Sequence, residues 1–170
     1  MRSDARANRD RILAAAQEVF GAGGAGASTE EVARLAGVGA GTVFRHFPTK
    51  RDLLEATVLR LFDHLAQEAG AAGATLDGVV RTLVSTGATK LALGNQLGAA
   101  SPAVEDAARA LKAAVDRLLR RGQQAGAVRP DVSVNEVYLI VRALATVAPS
   151  ADPATTDRAL EVVLAGLRRT

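Results

Sequence analysis

The residues best suited to chemistry lie between Val38 and Arg51. That window holds Thr42, Arg45, His46, Lys50 and Arg51 and not one acidic residue. Guanidinium, ammonium, imidazole and hydroxyl groups gathered in this way bind anions, phosphate above all. Bond-making chemistry finds no support. The chain has two histidines, His46 and His64, and no cysteine, which excludes a disulfide framework and a thiolate metal site. There is no G-x-S-x-G motif and no set of carboxylates at metal spacing. The expectation is a protein that is not an enzyme, with no catalytic residue, no metal and no cofactor.

The elements that must hold this window are two short helices. Ser28 and Glu31 form an S-x-x-E capping box, which starts the first. Val32, Leu35 and Ala36 give it an apolar stripe. Gly37 follows the last periodic residue, where a left-handed C-cap is wanted. Val38 is the apolar plug of the turn Gly37-Val38-Gly39. The second helix is expected from Ala40 to Phe47, ending before Pro48. A small residue (Ala33) four before the turn glycine and a branched one (Val43) six after it suit a helix-turn-helix. An ordinary αα-hairpin in a helical bundle has the same spacing, and the spacing leaves both open.

The run A-G-V-G-A-G-T-V-F-R-H-F-P-T-K-R-D-L-L resembles the signature of the TetR family of bacterial transcriptional repressors. The family's recognition helix reads close to T-[LV]-Y-x-[HY]-F, then a turn pair, Lys and a Leu-containing helix. The corresponding residues are Thr42-Val43-Phe44-Arg45-His46-Phe47, then Pro48-Thr49-Lys50, then Leu53-Leu54. The likeness covers about residues 8 to 60. One departure is clear: the usual tyrosine is Phe44, which has no hydroxyl for a phosphate.

The chain as a whole is permissive. Its 170 residues make one or two small domains with room for a core. The formal charge of +3 is compatible with nucleic acid without demanding it. The opening M-R-S-D-A-R-A-N-R-D lacks the apolar run of a secretory signal, and the most apolar stretch, Val137 to Ala148, is broken by Arg142. A cytoplasmic protein that does not enter a membrane is expected.

Taken in order, residues 1–8 are expected as a short arm carrying Arg2 and Arg6, either solvated or touching DNA. A helix from Asn8 to Phe20 follows, with Ile12, Ala16, Val19 and Phe20 on one face. Gly21 to Ala27 is glycine-rich but lacks the Lys-[Ser/Thr] of a P-loop, so it is a connector. Thr49 and Asp52 cap a helix lined by Leu54, Val58, Leu61 and Leu65. After a break at Gly70–Ala74, a helix is expected over Thr75–Leu93 and a loop over Leu93–Ser101. Pro102 opens a helix carrying Val104, Leu111, Val115 and Leu118; its basic residues make either a second nucleic-acid surface or, the favoured reading, a solvated face paired with Glu105, Asp106 and Asp116. Ser133 and Glu136 cap a helix over Val134–Ala148. Asp152-Pro153 starts the last, with Arg168 and Arg169 complementing the dipole of its final turn. No strand pattern appears, and the fold class is all-α.

The resemblance implies more than this. It implies a helix-turn-helix DNA-binding head over residues 1–50 and a helical effector-binding and dimerisation domain over residues 51–170. Partners would be a palindromic double-stranded operator, a second copy paired through the last two helices, and an unidentified small-molecule effector. Ser28, Thr29, Thr42, His46 and Lys50 would meet phosphates. Ala40, Gly41, Phe44 and Arg45 would lie near bases and sugars. Candidate effector contacts are His64, Ser85, Thr89, Tyr138 and Arg142, with Thr86, Asn95 and Gln96 as weaker polar neighbours. At 3% aromatic residues, a large aromatic-lined pocket is not expected. The competing class is a helical protein–protein interaction module without specific DNA binding.

Overall fold

The computed structural model describes residues 2–22 and 27–169, with side chains from Asp4 onward. Among these residues there are nine α-helices. They are α1 (Arg2–Ala22), α2 (Thr29–Ala36), α3 (Ala40–His46), α4 (Lys50–Gly70), α5 (Leu76–Ser85), α6 (Gly87–Leu97), α7 (Pro102–Gln124), α8 (Val134–Val147) and α9 (Pro153–Leu167). The expected all-α class holds. One antiparallel bridge, Val128 with Arg168, is the only extended pairing among the described residues. None of the helices is long and apolar enough to cross a membrane.

The chain divides into two compact units. The first takes residues 1–61 together with 89–105, and the second takes 62–88 together with 106–170. In the first unit α1 buries Ile12, Leu13, Ala16 and Phe20, and α2 buries Val32, Ala33 and Ala36. Leu35, expected in that stripe, is 44% exposed; Ala33 takes the inward place because α2 needs a small side chain where it meets its neighbours. In the second unit Leu83, Leu111, Leu119 and Leu164 are almost fully buried.

Several helix ends follow their caps. Ser133 and Glu136 exchange the reciprocal bonds of a capping box, and the Asp152 carboxylate accepts from Thr155 N–H at 2.9 Å. Of the acids expected to pair along α7, Asp106 pairs with Arg109 and Asp116 with Arg120. Other expectations need correction. The first helix begins at Arg2, six residues before Asn8, so there is no separate arm among the described residues: Ala5, Arg6 and Ala7 are good helix formers, and Asp4 suits the positive end of the dipole. The side chain of Arg2 and residues 23–26 of the connector lie outside the described residues.

The expected helix over Thr75–Leu93 is two helices. Ser85 and Thr86 both turn their hydroxyls back to the Thr82 carbonyl, which competes with the backbone ladder and bends the chain. Gly87 then restarts it as α6, which runs on to Leu97, so the loop expected over Leu93–Ser101 shrinks to Gly98–Ser101. Gly98, at φ +71°, provides the stop. At the C-terminal side, Arg168 and Arg169 lie beyond α9 rather than in its last turn. Arg168 bonds Asp77, and Arg169 N–H bonds the Ala127 carbonyl at 3.1 Å.

Gly87 is closed in. A Cβ there would collide with the Cβ of Ala145 in α8, which has no flexible end to move aside. Gly94, in the same helix, faces open space. Gly87→Ala should therefore lower unfolding stability by about 1–3 kcal/mol through overpacking. Gly94→Ala should raise it by about 0.4–1 kcal/mol by restricting the unfolded chain. Urea unfolding of the two variants checks the opposite signs.

Candidate nucleic-acid interface

Two helices and the turn between them build the site. Ser28 caps α2: Glu31 N–H donates to Ser28 Oγ at 3.1 Å, and Ser28 N–H donates to Glu31 Oε2 at 3.2 Å. Gly37 sits at φ +66°, ψ +37°, a conformation costly for any residue with a Cβ. Gly37 N–H bonds the Arg34 carbonyl at 3.2 Å, and Val38 N–H bonds the Ala33 carbonyl at 3.0 Å. These bonds satisfy the last carbonyls of α2 and turn the chain into α3. The Gly39 carbonyl then accepts from Thr42 N–H at 2.9 Å, and α3 starts. Val43 and Phe47, at 0% and 4% exposure, anchor α3 to the unit. Arg9 of α1 covers the Phe47 ring, its guanidinium 5.4 Å from the centroid.

What remains outward is one face. Ala40, Gly41, Phe44 and Arg45 are exposed, Thr42 and His46 are half-buried, and Val43 is buried. At 100° per residue the four exposed positions span an arc of about 140°. Phe44 is 45% exposed, unusual for a large apolar side chain. Arg45 makes no hydrogen bond or ion pair with the described residues.

The other basic groups of the window are already engaged. Lys50 Nζ donates to the Ala27 carbonyl at 2.7 Å and stands 5.3 Å from the centroid of the Phe20 ring. It thereby ties the start of α4 to the residue before the Ser28 cap. Arg51 donates to the Leu97 and Ala99 carbonyls at 3.1 and 2.8 Å. Nothing in its spacing had singled out Arg51 as a brace, because its acceptors lie 46 and 48 residues away. Thr49 and Asp52 close the reciprocal cap at 2.8–3.1 Å that starts α4. Ser28 is half-buried and Thr29 is 8% exposed, so Thr29 offers its backbone N–H more readily than its hydroxyl.

Within their units the candidate effector residues lie in different surroundings. His64 is exposed, with Nε2 3.5 Å from Glu68 Oε1. Ser85 lies on an open recess of the second unit beside Arg81, Val84 and Leu160. Thr89 belongs to the first unit, against Gly21 and near Arg60. Tyr138 is half-buried under Lys112, and burial pushes its phenol up to about 12, so it stays protonated at neutral pH. Arg142 is exposed. A second recess of that unit, lined by Leu76, Leu118, Arg121 and Val128, contains none of the five. Among the described residues no group of histidine and carboxylate side chains could hold a metal.

Residues 12–57 match the bacterial regulatory proteins of the tetR family, and residues 61–169 match the C-terminal domain of SbtR-like transcriptional regulators. No curated protein sequence matches the chain. Among solved structures, a TetR transcription regulatory protein from Mycobacterium vanbaalenii is 33% identical, with 98% of each chain covered and a TM-score of 0.80. A TetR transcriptional regulator from Streptomyces coelicolor is 28% identical over 95% of this chain and 99% of that one, with a TM-score of 0.77. The regulator FadR from Bacillus subtilis, solved in complex with stearoyl-CoA, shares the fold at 20% identity, 92% and 98% coverage and a TM-score of 0.58. With an N-terminal helix-turn-helix and most of the remaining chain matched, this protein belongs to the TetR family of DNA-binding transcriptional regulators.

Proposed function

We propose that the protein works as a two-fold dimeric repressor, released from a palindromic operator by a small molecule. The observation that carries the DNA side is the single exposed face of α3, opposite the buried Val43. In this reading Ala40, Gly41, Phe44 and Arg45 enter the major groove. Ser28, Thr29, Thr42, His46 and Lys50 meet the flanking phosphates. Lys50 has donors left after its bond to Ala27, so bracing the head and touching DNA are compatible roles. The protein acts by binding, not catalysis, in the cytoplasm where its operator is.

The dimer reading has its own support in unpartnered apolar side chains. On α8, Leu139 and Val147 are 70% and 59% exposed, and Ala143 lies between them at four-residue spacing; on α9, Val162 is 73% exposed. Large apolar groups repeated along exposed faces suit a partner helix. Residues 1–50 would then serve as the head, and residues 51–170 would hold dimer and effector contacts. The effector's polar contacts would come from His64, Ser85, Thr89, Tyr138 or Arg142. Release requires the effector to bind one arrangement of the dimer more tightly than the other, by about 1–3 kcal/mol for ordinary coupling.

Two variants test these contacts. Leu139→Glu with Val162→Glu should leave the helical content unchanged but shift sedimentation from dimer to monomer, with operator affinity falling alongside. Persistence of the dimer would place the interface elsewhere. Phe44→Tyr restores the phosphate hydroxyl and should tighten DNA binding by up to about 1 kcal/mol, the net value of one hydrogen bond. Fluorescence anisotropy on a labelled duplex reads the change.

A further inference from the structure

The glycines around the recognition helix fall into two kinds. Gly37 is required by its left-handed backbone. Gly41 has no such reason. It lies within α3 without a positive φ, and a Cβ added to it would meet nothing within 4 Å. As the second residue of the seven-residue α3, glycine is a poorer helix former than alanine, at less cost than in mid-helix. The fold therefore bears a cost at Gly41 that no described contact explains.

Its helical neighbour supplies the reason. Arg45 is one turn on, at i+4, and long helical side chains lean back over the turn before them. A bare Gly41 leaves that path clear and lets the backbone approach close to whatever α3 faces. On the exposed face, Ala40 and Phe44 have no side-chain donor and Gly41 has no side chain at all. Arg45 is the one hydrogen-bonding side chain there, with its donors uncommitted among the described residues.

We propose that Gly41 is kept bare for close approach to the major groove, and that Arg45 reads a guanine through O6 and N7 as the principal hydrogen-bonded base contact of each half-site. Resting on the reading of α3 as the recognition helix, this assigns it a base and a specificity-determining residue. Arginine's planar fork matches the two guanine acceptors, O6 and N7, with a pair of donors.

The test is selection from a random duplex library by the full chain, by Arg45→Ala and by Gly41→Ala, followed by affinity measurement on the wild-type consensus. The wild type should enrich a half-site with one dominant G·C pair, and 7-deazaguanine at that pair should weaken binding about tenfold. Arg45→Ala should lose the dominant G·C pair from the sequences it enriches. Gly41→Ala should raise the unfolding midpoint by about 1–3 °C, as expected for a freed helical position, yet bind the consensus about tenfold more weakly. A wild type that enriches no sequence would overturn the recognition-helix reading itself. A clear wild-type motif that Arg45→Ala reproduces with its guanine intact, or that Gly41→Ala binds with full affinity, would overturn this inference alone.

Discussion

The left-handed turn at Gly37 is the constraint on which the head depends. An L-residue with a Cβ loses roughly 1–2 kcal/mol in that conformation. Glycine avoids the loss and lets two successive N–H groups close off the end of α2. Once the turn is set, the direction of α3 is set as well, because Val43 and Phe47 must both reach the core. The outward face is then what remains, and its composition is a consequence of spacing from one glycine.

That geometry is braced by bonds from flexible side chains to backbone carbonyls. Lys50 holds the Ala27 carbonyl, Arg51 holds those of Leu97 and Ala99, Gln96 holds that of Phe20, and Arg60 holds that of Asp10. All of these lie within the first unit, so residues 89–105 belong with the head although they are far from it in sequence. The bonds from Lys50, Arg51 and Arg60 are charge-assisted and among the stronger hydrogen bonds, and losing any of them leaves a carbonyl to be satisfied elsewhere. Much of the basic character of the window therefore serves the fold, and Arg45 stands apart as a cation without such a role. Helix α4 contributes residues to both units.

The legible part of the fold was the part written in local chemistry. Ser28–Glu31, Thr49–Asp52, Ser133–Glu136 and Asp152 each announce a helix start within four residues, and each forms the expected bonds. Gly37 and Val43 were equally legible from spacing. The failures came where tertiary contacts decide. The break at Thr86 depends on hydroxyls folding back onto Thr82 and on the close approach of Gly87 to Ala145, and no periodicity reports that. Arg168 was read as a helix-dipole partner, but its actual partner is Asp77, 91 residues away. The exposed stripe of Leu139, Ala143 and Val147 was visible as an i, i+4, i+8 pattern, yet it was hidden beneath the stronger inward stripe of Val137 and Val141. The candidate effector residues were chosen as polar groups among apolar neighbours, a criterion that cannot tell which recess, if any, they share.

The proposed mode of action is that two copies of α3 engage DNA together through a sequence-reading face. Its most direct test is capture of genomic fragments by the purified full chain at two salt concentrations, with the bound fragments sequenced. The account predicts enrichment of a two-fold-symmetric site, its half-sites centred one helical turn apart or a multiple of it, about 34–36 Å per turn. Binding should weaken steeply as salt rises, because phosphate contacts release counterions. Enrichment of an asymmetric single site, or of no site at either salt concentration, would contradict it.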